Sequence, residues 1–200
     1  MRISLNAPVI LGFSLAVVAL RVLDALFEQQ LAPRYFVVHP GFHATDPWEY
    51  FRLFSHILGH TDWSHLLNNL TYVLLLGPIL EDRYGSLRLL LMMLATALVV
   101  GLLNSLLFDT ALMGASSIVF MLITLLSLVD MKAGSIPLTH ILVVGLFFGT
   151  ELLTVLETDN ISQMAHIAGG VSGAIFGYLL ADRGSRRRVA RRAAKTSRPA

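Results

Sequence analysis

Two adjacent serines, Ser116 and Ser117, stand at the head of a long apolar run. They belong to the stretch MGASSIVF, residues 113–120, which follows a short polar turn at Phe108, Asp109 and Thr110. A serine hydroxyl becomes a nucleophile when a neighbouring imidazole takes its proton. Two histidines occupy matching positions in other apolar runs: His65 with Asn69 four residues on, and His166 with Gln163 three residues before it. A hydroxyl, an imidazole base and an amide donor are the parts of a serine hydrolase site without a third, acidic member, that is, a Ser–His dyad. Serine in an apolar helix also has an ordinary use, bonding to the preceding turn or easing helix contact. What decides between the two is whether these three segments come together.

The composition says in what solvent they would meet. Of 200 residues, 55% are hydrophobic and only 14% charged, with mean hydropathy +0.68. A soluble domain carries about 25% charged residues. The chain therefore reads as an all-α membrane protein, its length suiting one bundle of about six spans. Six apolar runs fit: residues 8–27, 63–80, 89–108, 115–129, 137–156 and 162–181. The first could pass for a secretory signal, but the run continues past Arg21 without a clean cleavage site, which favours a retained helix in which Arg21 and Asp24 can pair.

Residues 28–61 differ. Three prolines, two glycines and the aromatics Tyr35, Phe36, Phe42, Trp48, Tyr50 and Phe51 make this stretch too broken for a span and too apolar for a free loop. It reads as a structured loop in the membrane interface, between the first and second helices.

Residues 183–200 hold eight basic residues and no acid, whereas residues 1–182 hold seven basic and thirteen acidic ones. The expected division is a membrane domain over 1–182 and a basic cytoplasmic tail over 183–200. Directly after a span, such a tail reads as an anchor to anionic lipid rather than a nucleic-acid arm. With the tail inside, Arg2, Arg83, Arg88 and Lys132 also fall inside and only Arg34 and Arg52 outside, so both termini are expected in the cytoplasm.

This orientation makes spans two, four and six run from outside to inside. Their first turns share one depth near the outer face, and these turns carry His65 and Asn69, Ser116 and Ser117, and Gln163 and His166. His166 is then the base for Ser116. Asn69, His65 and the uncapped backbone N–H of Ser116 are the donors for an oxyanion, and Gly114 supports them at the turn. On span six, Ala165, Gly169, Gly173 and Gly177 repeat every four residues, a small-residue ridge permitting close approach to span four.

Several rivals are weaker. His56 and His60 have zinc-helix spacing, but no glutamate follows His56, so no metal is expected. Those two histidines are expected to hydrogen-bond the loop and cap span two. The second glycine of a G-x-S-x-G elbow is absent. Glu151 alone is thin support for an ion-coupled transporter. No cysteine is present, which removes a cysteine nucleophile.

The motifs in sum resemble the rhomboid family of intramembrane serine proteases. Its GxSG reads G-A-S-S at residues 114–117, its HxxG matches His166 to Gly169, its HxxxN matches His65 to Asn69, and the entry FSHILGHTDWSH covers residues 54–65. The resemblance covers residues 50–180 and implies a six-transmembrane-helix bundle, a Ser116–His166 dyad, oxyanion contacts from His65 and Asn69, and cleavage of membrane-anchored substrates near the outer face. It implies no cofactor and a multi-pass protein, expected in a bacterial plasma (inner) membrane, whose partners are transmembrane substrates and the bilayer. The departure is Ser117 in place of glycine, whose hydroxyl is expected to find the carbonyls of Met113 or Gly114, the alternative being that it competes for His166. The alternative is a catalytically inactive rhomboid-like protein that binds transmembrane segments; such relatives typically lack the serine or the histidine, and both are present here.

Overall fold

The computed structural model describes residues 6–129, 136–155 and 163–180, with backbone alone at residues 147, 148 and 150–155. The basic tail, Arg2, Lys132 and the 157–160 turn lie outside the described residues, as does the side chain of Glu151.

The long helices are α1 (Pro8–Leu26), α4 (Trp63–Tyr84), α5 (Ser86–Leu107), α6 (Ser116–Ser127) and α7 (Leu138–Val155). A further helix, α8, covers residues 163–180. They follow the apolar runs within a few residues. The larger departures are α4, which continues through Glu81, Asp82 and Arg83 to Tyr84, and α5, which starts at Ser86, so the expected turn narrows to Gly85 at φ +88°. By length and composition, α1 and α5 are each able to cross a membrane, and α6 is a shorter apolar helix.

The reason for the long α4 is a carboxylate. Glu81 is buried, and its two oxygens accept the backbone N–H groups of Val9 and Ile10 at 3.0 Å each. The first amides of a helix lack internal partners and carry the positive end of its dipole, so an acid from a neighbouring helix caps α1. Arg83 does the converse at the far end of α6, donating to the Val129 carbonyl at 3.0 Å.

The stretch between α1 and α4 is ordered throughout. It contains α2 (Leu31–Tyr35), α3 (Pro47–Ser55) and a single 3-10 turn at His56–Leu58. Asp46 caps α3 by accepting from Trp48 N at 2.9 Å, and Pro47 takes the first helical position, where its missing N–H costs nothing. Arg52 reaches Glu49, Asp46 and the Arg34 carbonyl, tying α3 to α2. Tyr35, Trp48, Phe51 and Phe36 form a chain of ring contacts with centroids 4.8–6.0 Å apart. Asp24, paired with Arg21 at 3.3 Å, also accepts Ala32 N at 2.8 Å, which anchors α2 to the end of α1. Two backbone bonds join Val38 to Leu112, so the same loop also holds the segment leading into α6.

The core lies around α6. Ile118, Met121, Leu122 and Leu125 are fully buried, packed among Val73 and Leu80 of α4 and Leu89, Met93 and Ala97 of α5. α8 lies on another side of α6 through its glycines. A Cβ on Gly169 would enter the Ser117 backbone, one on Gly173 the Met121 backbone, and one on Gly177 would stand 2.7 Å from Leu128 Cδ1. The expected ridge is therefore the α6–α8 contact.

Candidate active site

The site is built where the first turns of α4, α6 and α8 meet. His65, Asn69, Ser116 and His166 line one cleft of about 380 Å³, with Tyr72, Met113 and Phe120 among its other walls. Three segments far apart in sequence are brought together here. The other expected residues of these turns are set back. Ser117 and Gln163 are buried and do not line the cleft.

Local structure explains each placement. Ser116 is the first residue of α6, after a turn in which Gly114 has φ +128°, a backbone conformation that side-chain-bearing residues rarely adopt. Gly114 also faces the His65 ring. An added Cβ would stand 2.7 Å from His65 Cε1 and 2.9 Å from Nε2. Ala115 precedes the helix without a side-chain cap, so no side chain covers the first amides of α6 at the cleft. His166 stacks face to face on Phe120, one turn into α6, with centroids 4.2 Å apart and planes at 8°. Gly169, one turn after His166, rests on the Ser117 backbone, which sets the distance between the two helices just below the site.

On α4 the cap is Asp62, which accepts His65 N at 2.8 Å. The expectation that His56 and His60 cap this helix is corrected here: Asp62 takes that role, and both histidine rings are buried and bonded elsewhere. Asp62 also accepts a hydrogen bond from the Thr61 hydroxyl at 2.8 Å, and these bonds, the one from His65 N first, hold its carboxyl below the usual range. With that proton committed, Thr61 Oγ1 accepts from His65 Nδ1, 3.3 Å away. A Thr-Asp pair before an apolar run is a helix-start signal in the sequence, and it marks this relay.

His56 and His60 are structural neighbours of the site. His56 is fully buried, and its Nε2 donates to the Ala97 carbonyl of α5 at 3.1 Å. Burial pushes its pKa down to about 4, so the ring is neutral. Its own carbonyl accepts Gly114 N at 3.0 Å, joining the 3-10 turn to the serine turn. His60 is buried, with Nδ1 3.3 Å from the Leu58 carbonyl and Nε2 3.0 Å from Asn69 Nδ2. Its ring meets His65 edge-on at 4.9 Å.

The Ser117 hydroxyl does not reach the carbonyls of Met113 or Gly114. Among the described residues it is buried without a hydrogen-bond partner. Among the described residues there is no group of three or more side chains able to hold a metal ion.

A helical bundle thus gathers serine, histidine and asparagine side chains around one cleft. A model of the Rhomboid domain matches residues 47–183. The chain is 26% identical over 153 residues to Rhomboid protease GlpG of Haemophilus influenzae, covering 72% of this chain and 77% of that protein. It is 28% identical over 142 residues to YdcA of Bacillus subtilis, covering 70% and 71%. It is also 28% identical over 120 residues to Rhomboid-like protein 11, chloroplastic, of Arabidopsis thaliana; that match covers 59% of this chain and 40% of the plant protein. The chain belongs to the rhomboid family, and it is a helical, multi-pass membrane protein.

Proposed function

We propose that this protein is an intramembrane serine endopeptidase that cleaves membrane-anchored substrates near the outer membrane face. The observation that carries this is the shared cleft of Ser116, His166, His65 and Asn69. Family membership supports the protease class. Six spans, an interfacial α2–α3 loop, cytoplasmic termini with the basic tail inside and a plasma-membrane location complete the reading. The tryptophan and tyrosine rings of that loop favour headgroup depth, and the basic residues favour the inner side.

In the reaction, Ser116 Oγ attacks the scissile carbonyl while His166 takes its proton, then returns it to the leaving amine. Stacking on Phe120 holds the imidazole plane without consuming a ring nitrogen. The oxyanion that forms is met by Asn69 Nδ2 and the Ser116 N–H. His65 borders the same cleft, its Nδ1 donating to Thr61. Helical substrate hides its carbonyls in hydrogen bonds, so a segment must unwind to enter.

The test uses purified full-length protein in proteoliposomes with a model transmembrane substrate. Ser116→Ala and His166→Ala are each expected to abolish cleavage and to block labelling by a fluorophosphonate probe, with the fold retained. Unlabelled wild type that also leaves the substrate intact would instead mark an inactive, segment-binding member of the family.

A further inference from the structure

His60 lies outside the cleft, touches none of the proposed reacting atoms, and belongs to no step described above. Its bonds nevertheless leave only one arrangement. The Leu58 carbonyl can only accept, so the proton at that contact belongs to His60 Nδ1. Burial, reinforced by the neighbouring His65, pushes the ring down to about 4, against the weaker pull of the Leu58 carbonyl and Asp62; it is neutral at pH 7. A neutral ring with its hydrogen on Nδ1 has a bare lone pair at Nε2. That lone pair faces Asn69 at 3.0 Å.

The amide of Asn69 can turn either end toward this ring. Only Nδ2 can donate to Nε2; Oδ1 in that place would set two lone pairs against each other in a site where both residues are buried. One Nδ2 hydrogen therefore goes to His60, and the second stays on the same nitrogen, in the residue that lines the cleft.

We propose that His60 is a positioning residue for catalysis: its tautomer, locked by the Leu58 carbonyl, fixes the Asn69 amide with Nδ2 as the oxyanion donor. This rests on the dyad and oxyanion roles proposed above. The alternative is a ring that only braces the Leu58 turn.

Two substitutions of similar size separate the two bonds. In His60→Gln, the longer amide places its oxygen near the former Nε2 and keeps an acceptor for Asn69. In His60→Asn, the shorter amide keeps a donor for the Leu58 carbonyl and loses the Asn69 contact. Both are made in the full-length protein, alone and with Asn69→Ala, and kcat and KM are measured in proteoliposomes. Loss of one oxyanion donor costs about 100- to 1,000-fold in kcat, so a misaligned donor is expected to cost roughly 10-fold or more. His60→Asn should show that loss with KM changed by less than about two-fold, the pattern of an interaction made only in the transition state. His60→Gln should stay within about three-fold of wild type. With Asn69→Ala present, the two variants should have the same kcat, because coupled residues are not additive.

Equal kcat for the two variants, a better His60→Asn than His60→Gln, or an unchanged ratio between them in the Asn69→Ala background would overturn the proposal while leaving the dyad intact. Wild-type cleavage by Ser116→Ala or by Asn69→Ala would overturn it together with the site on which it rests.

Discussion

Gly169→Ala adds one carbon where α8 lies directly against the Ser117 backbone of α6. The new Cβ would enter the Ser117 carbonyl oxygen and lie 2.9 Å from Ser117 C and Cα. Carbon pairs are comfortable at about 3.5–4.0 Å, so α8 must retreat from α6 by roughly 0.5–1 Å. The obstacle is backbone on both sides, with no flexible side chain to yield. His166 lies one turn before Gly169 on the same helix face and moves with it, whereas Ser116 stays with α6. A misplacement of about 1 Å costs on the order of 100-fold in rate, so kcat is expected to fall roughly 30- to 100-fold. Overpacking should also lower stability by about 1–3 kcal/mol, which leaves folded protein to assay. Gly145→Ala in α7 is the control. Among the described residues nothing lies within 4 Å of its Cβ position, and alanine there should raise helix stability by up to about 1 kcal/mol with kcat unchanged. The assay is steady-state cleavage in proteoliposomes with thermal melts alongside. A folded Gly169→Ala enzyme with kcat within about two-fold of wild type would refute the claim that this glycine sets the Ser116–His166 geometry.

Ser117→Ala removes a buried hydroxyl that has no partner, so the melting temperature should rise, by up to about 1–3 kcal/mol of stability, with kcat little changed; a fall in stability would show that the hydroxyl is satisfied. Glu81→Gln deprives the start of α1 of one acceptor and of the charge, and should cost about 1–3 kcal/mol in a melt, an unchanged melting temperature counting against the cap. Acid should destabilise the protein through His56. Its folded pKa of about 4 lies below the ordinary 6.5, so the unfolded chain binds a proton that the folded ring refuses. Its contribution is therefore complete above pH 6.5 and declines as pH falls from 6.5 to 4, by up to about 1.4 kcal/mol per pH unit. Melts of wild type and His56→Gln across that window check it: the wild-type slope should be the steeper, and equal slopes would exclude His56 as the source.

The helices were legible because their signals are local. Apolar runs of about twenty residues mark α1, α5 and α7, and the four-residue spacing of Gly169, Gly173 and Gly177 marks a contact face whichever helix it meets. The loop between α1 and α4 was legible as ordered, from its aromatic and proline content, but its helices were not, since α2 has five residues and α3 nine. Short helices owe their existence to partners such as Arg52 and the Tyr35–Trp48 ring pair, and these partners are distant in the chain.

The sequence by itself determined the membrane class, the order of the helices and which polar side chains begin three of them, because residue type and helical period are properties of the chain alone. Only the tertiary structure decided what those side chains do to one another. Whether Glu81 ends a turn or caps α1, whether His60 reaches Asn69 as well as its own loop, and whether the Ser117 hydroxyl finds an acceptor all depend on contacts made across the bundle. A buried polar group takes the partner that packing brings within about 3 Å, and sequence spacing within one helix cannot supply that distance between two.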